Sequence, residues 1–179
     1  MKIPLDNSYN PRKTFYFLIA LVGIILMVFE IHIYRKTIIK TTIPISIIFT
    51  VGLIAFFFDR KNYNKTYSIS GFFFPLGQNI ISWGFITCYL FMATNYYLSD
   101  KNNTVYNFTI KGKSSLAGSR GNRSHTKPVV TVDYFGFDKE LVFTYPDTKK
   151  IEEADSVTIK IRKGFFGFDV LNEYDVIEK

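Results

Sequence analysis

The chain has 179 residues, of which 47% are hydrophobic and 18% aromatic, and its formal net charge is +7. The single cysteine, Cys88, excludes an internal disulfide and any metal site built from paired cysteines. The positive charge lies in the tail and loops that flank long apolar segments, where lysine and arginine meet lipid headgroups, so it argues against nucleic-acid binding.

The first two apolar runs predict a pair of membrane-spanning helices. The run from Thr14 to Tyr34 is long enough to cross a bilayer core, since about 20 apolar residues suffice. It ends in basic residues and lacks a small-residue cleavage site, which favours a retained helix over a signal peptide. The second run, Thr42 to Phe58, follows a short basic loop, which predicts a tight antiparallel hairpin of helices.

A third apolar run, residues 72–98, predicts a third membrane helix. Its opening contains Pro75, so we expect an irregular or interfacial first turn, and we place the core of the helix at Ile80 to Leu98. Aromatic residues near both ends, including Trp83, match the belts found at membrane interfaces. The sequence therefore predicts a transmembrane anchor over residues 1–99, with helices near 14–34, 42–58 and 72–98.

The basic residues favour one orientation. The N-terminal tail and the loop after the second helix carry six lysines and arginines, whereas the loop after the first helix carries three. The positive-inside rule then predicts a cytoplasmic N-terminus and an extracytoplasmic C-terminal domain. We expect the chain to reside in a bacterial inner membrane.

Three polar side chains within the apolar runs are candidates for an ion or proton site: Glu30, His32 and Asn79. Polar residues inside a membrane often mark function because their burial is costly. Contact with headgroups, or a helix cap for Asn79, is the simpler interpretation, and residues 30 and 32 point to different faces of a helix. Gly84 and Cys88, four residues apart, predict close approach of a neighbouring helix.

Residues 100–179 predict a small soluble β-rich domain. Apolar and polar residues alternate in five short segments, a pattern typical of half-buried strands. The fold class predicted for this half is an antiparallel barrel or sandwich. The predicted strands are 104–111, 128–134, 140–145, 156–163 and 169–177.

A basic segment spans a loop predicted at 112–127 and contains no acid. It could bind an anion such as a lipid headgroup, a phosphorylated glycan or an acidic partner, although a solvated loop has the same composition. Its cationic residues are Lys111, Lys113, Arg120, Arg123, His125 and Lys127.

A second candidate surface contains Phe165, Phe166 and Phe168. Adjacent residues of a strand face opposite sides, so at least one of the first two rings is expected to be exposed, in the bilayer or against a partner. Packing in the core combined with docking on the bilayer is the simpler interpretation.

The β-rich half resembles a family of membrane-anchored β-domains classified as a domain of unknown function. The resemblance covers roughly residues 112–170 and lies in the basic loop running into KPVVTVDY, the hairpin around Gly136 followed by LVFTY, and SVTIKIRKG. It implies a β fold and a membrane anchor, and it implies no activity.

No catalytic serine, zinc-protease, Walker or dinucleotide motif occurs in the sequence. We therefore expect no enzymatic activity and no cofactor or metal. The leading hypothesis is an accessory protein that is anchored in the lipid bilayer and binds other membrane proteins through its β domain. The alternatives are a membrane immunity protein against a toxin, and a small channel, transporter or enzyme component.

Overall fold

The structure is a computed structural model that describes residues 10–117 and 126–177. These residues form two compact units, and the division does not follow chain order. The helical unit extends to Ile33 and resumes with Thr41–Ala93, whereas the β unit contains Tyr34–Lys40 and the chain from Thr94 onward.

Two long helices dominate the helical unit, α1 (Pro11–Arg35) and α2 (Thr42–Tyr67). Among the described residues, these are the two helices long and apolar enough to cross a membrane. Their apolar side chains are largely exposed, with Phe58 at 83% and Phe17 at 65%. Exposed apolar surface of this extent distinguishes them from core helices of soluble proteins, which bury their apolar face.

The third apolar run is divided into three successive helical segments. It forms α3 (Phe73–Asn79), a π-helical turn (Ile80–Gly84) and α4 (Phe85–Tyr97). The irregularity lies in the middle of the run and not in its opening, because Pro75 is accommodated in the first turn of α3. Neither α3 nor α4 is long enough by itself to span a bilayer, so three membrane helices are not shown.

Close backbone approaches hold the helical unit together. A Cβ atom at Gly84 would lie 2.6 Å from the carbonyl oxygen of Ile48, and one at Gly23 would lie 2.0 Å from that of Ile81. Neither position has room for a larger residue. The close approach that the small residues Gly84 and Cys88 predict is therefore confirmed at Gly84.

The β unit is a curled antiparallel sheet of five strands, a half-barrel, in the order β3-β2-β1-β4-β5. The first half of β1 pairs with β4 and its second half with β2, and the register shifts between Ile110 and Gly112. Such an irregularity bends the strand, which curls the sheet around one core. The strands are β1 (Asn103–Leu116), β2 (Lys127–Asp133), β3 (Asp138–Val142), β4 (Ser156–Arg162) and β5 (Val170–Ile177), with α5 (Thr148–Glu153) between β3 and β4.

The core of the β unit consists of the inward side chains of the strands, including Val130, Leu141 and Ile159. The two edge strands approach each other across it. The hydroxyl of Tyr174 in β5 donates to the carbonyl oxygen of Val142 in β3 at 2.6 Å. The strand class predicted for this half is confirmed, but the loop predicted to begin at residue 112 is wrong, since β1 continues to Leu116.

The connection between α1 and α2 is built into the β unit. The amide of Ile38 donates to the carbonyl of Asp169 at 2.8 Å, and the amide of Leu171 donates to that of Lys36 at 2.7 Å. Thr37 forms an antiparallel bridge with Val170. The side chain of Ile38 joins the hydrophobic core, so this short connection acts as an additional edge of the sheet.

Candidate functional site

The candidate phenylalanines lie on a turn fixed by Asn95, at the C-terminal end of α4. The side-chain amide of Asn95 donates to the carbonyl of Phe168 at 2.9 Å, and its oxygen accepts from the amide of Phe166 at 3.0 Å. The amide of Phe165 donates to the backbone carbonyl of Asn95 at 3.3 Å. Asn95 is fully buried in these contacts.

Both adjacent rings of this turn are exposed, because the residues form a turn and not a strand. Phe165 is 60% exposed and Phe166 is 46% exposed, and their ring centroids are 5.1 Å apart in an edge-to-face arrangement. Phe168 is partly buried. The turn therefore presents two aromatic rings on a backbone that is held at three points.

Next to this turn lies a partly buried polar pair. The hydroxyl of Tyr134 donates to Asp169 at 2.7 Å, and Lys163 lies 3.4 Å from the same carboxylate. Burial, followed by the hydrogen bond to Asp169, raises the pKa of Tyr134 well above its usual range.

Lys139 is a partly buried cation of the β unit. Its ammonium group donates to the backbone carbonyls of Arg35 and Thr37, at 3.3 and 3.2 Å. Burial lowers the pKa of Lys139. The pair of contacts secures the α1–α2 connection to β3.

Some of the cations predicted to form one anion-binding segment lie within the described residues, and these are on the strands β1 and β2. Lys111 lies on β1 and forms an ion pair with Asp138 at 2.6 Å, which raises its pKa. Lys113 donates to the backbone carbonyl of Glu152 at 2.8 Å. Lys127 begins β2 and is exposed. Arg120, Arg123 and His125 lie outside the described residues, so the segment as a whole stays a prediction.

The polar residues of the helical unit have separate environments. Glu30 is 7% exposed and accepts from the thiol of Cys88 at 3.0 Å, while its second oxygen has no partner among the described residues. His32 is exposed, on a different face of α1. Asn79 is buried and donates to the carbonyl of Pro75 at 2.8 Å.

A cavity of about 410 Å³ lies within the helical unit, between α1, α2 and the α3–π segment. Its floor and walls are aromatic and aliphatic, with Phe15, Phe58 and Trp83 among them. The polar lining residues include Asp59, whose carboxylate accepts from the hydroxyl of Tyr16 at 2.8 Å. Asp59 follows directly on the apolar segment of α2, at the depth where a spanning helix would reach the headgroups.

Two of the three amide side chains that line this cavity, those of Gln78 and Asn79, use their nitrogens within the unit. Gln78 donates to the carbonyl of Tyr16 at 2.8 Å and to the hydroxyl of Ser82 at 3.0 Å. Asn79 donates to Pro75. No described residue donates a hydrogen bond to the amide oxygen of Gln78 or of Asn79. The cavity is therefore rich in acceptors.

Sequence reasoning missed Asn95, Tyr16 and Asp59. Asn95 lies near the C-terminal end of α4, where asparagine attracts no attention, and its partners are roughly 70 residues away in sequence, so no local pattern indicates them. The signal for Asp59 was available, since it is an acid at the end of an apolar run and directly precedes two basic residues. Among the described residues, no group of three or more histidines, cysteines and acids is placed to hold a metal ion.

No protein-family model, no curated protein and no solved structure matches the chain. The resemblance to membrane-anchored β-domains stays an expectation based on its three motifs.

Proposed function

We propose that the chain is an integral membrane accessory protein with three membrane crossings, whose β unit binds a partner protein in the membrane without catalysis. The observation that carries this proposal is the turn of Phe165 and Phe166, which exposes two aromatic rings on a fixed backbone. Rigid exposed aromatics are typical of the few residues that dominate protein–protein affinity, since little entropy is lost when they bind.

The third crossing is supported by the two separate chain segments that together form the β unit. Tyr34–Lys40 and Thr94 onward belong to one compact unit, so both lie on the same side of a membrane. Because α2 leads away from that side, the chain has to return before Thr94. The helical run from Phe73 to Tyr97 is roughly 35 Å long at about 1.5 Å per residue, which is enough to cross the bilayer core.

Labelling of single cysteines tests the crossings. In a Cys88→Ser background, which keeps a donor for Glu30, we expect Lys61→Cys and Ser114→Cys to react with a membrane-impermeant maleimide from opposite sides. With the N-terminus cytoplasmic, Ser114→Cys reacts in intact cells and Lys61→Cys only after permeabilisation. Reaction of both from the same side would exclude the third crossing, whereas a reversed pair would change the orientation alone.

Affinity purification with quantitative mass spectrometry tests the partner-binding surface. We expect the tagged chain, extracted in mild detergent, to retain a partner that the Phe165→Ser/Phe166→Ser double variant loses. The matched control is Phe135→Ser, because Phe135 is 71% exposed but lies on the β2–β3 turn. Retention by the double variant, or absence of any stoichiometric partner with the unchanged chain, would contradict the proposal.

A further inference from the structure

The carboxylate and the amide oxygens that line the cavity of the helical unit favour a ligand that donates hydrogen bonds. Its polar lining offers the carboxylate of Asp59 and the amide oxygens of Gln78 and Asn79, whose nitrogens are already engaged within the unit. Asn79 lines the cavity and is 1% exposed, so it lies at the buried end of this lining. Three acceptors and one negative charge match a primary ammonium group, which has three N–H donors and one positive charge.

The remaining walls suit the same ion. Phe15, Phe58 and Trp83 line the cavity, and aromatic faces attract cations, with tryptophan the most strongly. The site lies where the apolar segment of α2 ends, which is the depth of lipid headgroups in the proposed membrane arrangement.

A groove beside the cavity shares Phe15, Tyr16 and Asn62 with it and adds Arg12. Arg12 is four residues before Tyr16 on α1, so both side chains lie on one face of the helix, one turn apart. No described residue forms an ion pair with Arg12. A guanidinium at this place can bind a phosphate attached to the ammonium group by a short linker.

We propose that the cavity and groove bind an aminoethyl phosphate group, with its ammonium against Asp59, Gln78 and Asn79 and its phosphate against Arg12. Phosphatidylethanolamine carries this group as its headgroup, and O-phosphoethanolamine carries it in solution. The site lies in the helical unit, so it is independent of partner binding by Phe165 and Phe166.

The sole tryptophan, Trp83, lines the cavity and reports occupancy directly through its fluorescence. The full chain is titrated in detergent with short-chain phosphatidylethanolamine, with phosphatidylcholine and phosphatidylglycerol of the same acyl chains, and with O-phosphoethanolamine. We expect saturable binding of the ethanolamine lipid, of O-phosphoethanolamine or of both, which identifies the source. Equal response to all three lipids, or no response to either ethanolamine compound, would overturn the proposal.

Variants test the named contacts. Asp59→Asn keeps the shape and the acceptor for Tyr16 but removes the charge, so binding should weaken about tenfold or more, the effect expected for one charged hydrogen bond. Arg12→Gln should weaken binding of O-phosphoethanolamine but not of ethanolamine. Asp175→Asn and Phe165→Ser, both in the β unit, are matched controls and should bind as the unchanged chain does. Wild-type affinity of Asp59→Asn would refute the assignment.

A methylation series needs no variant and keeps the test valid if Asp59→Asn does not fold. Each N-methyl group removes one donor, so affinity for O-phosphoethanolamine should fall with mono-, di- and trimethylation. Tightest binding of phosphocholine would show an aromatic cage for quaternary ammonium and would overturn the primary-ammonium assignment.

Discussion

At the scale of single residues, Asn95 determines the shape of the exposed aromatic turn. We expect Asn95→Ala to lower the free energy of unfolding by about 1–3 kcal/mol, because it removes two hydrogen bonds between a buried side chain and the backbone of the turn. Chemical denaturation in detergent measures the loss, and hydrogen exchange should accelerate at the amide of Phe166. Asn172→Ala is the control, since Asn172 is exposed and makes one long contact of 3.5 Å. Unchanged exchange at Phe166 would show that the turn keeps its shape without Asn95.

Tyr134 gives the β unit a dependence on alkaline pH. Its pKa is raised in the folded state, so the unfolded chain loses the phenolic proton first as the pH rises above about 10. The folded state then binds more protons than the unfolded state, and stability falls with rising pH. The amount by which the free energy of unfolding of the unchanged chain exceeds that of Tyr134→Phe should be constant below about pH 9 and shrink above about pH 10. Denaturation curves from about pH 8 to pH 11.5 measure this difference; Tyr145→Phe, at an exposed tyrosine, is the control.

At the scale of elements, the helical unit depends on glycines that allow backbones to touch. A methyl group at residue 84 would meet the carbonyl oxygen of Ile48, so Gly84→Ala should lower stability by about 1–3 kcal/mol through overpacking. The same substitution at Gly77, which faces open space, should raise stability by about 0.5–1 kcal/mol because alanine favours the helix. Thermal unfolding in one detergent compares the two. Equal effects would mean that the helices are less closely packed than described.

At the scale of the whole molecule, the α1–α2 connection stabilises the β unit. We expect Ile38→Ala to cost about 2–5 kcal/mol, as for a large-to-small change in a core, with the amide of Leu171 the first to lose protection. Hydrogen exchange measured by mass spectrometry detects this loss of protection, and Lys40→Ala, at an exposed position, is the control. Loss of protection confined to the helices would contradict the inclusion of residues 34–40 in the β unit.

The sequence predicted those elements whose pattern is local. The apolar runs of α1 and α2 are continuous, and the alternation in β4 makes every second residue buried, so both could be identified from neighbours alone. The π-helical turn could not be identified from the sequence, because its residues do not differ from those of an α-helix. It accompanies the close approach of Ile81 to Gly23, two residues that are distant in the chain. The contacts of Thr37 and Asn95 could not be predicted from the sequence either, because each joins segments distant in the chain.

The bridge between Thr37 and Val170 has a consequence for biogenesis. Thr37 leaves the ribosome 133 residues before Val170 does. The edge that Tyr34–Lys40 supplies therefore cannot join the sheet until β5 has been synthesised. This edge should form late in the maturation of the β unit, since contacts between such distant segments form slowly.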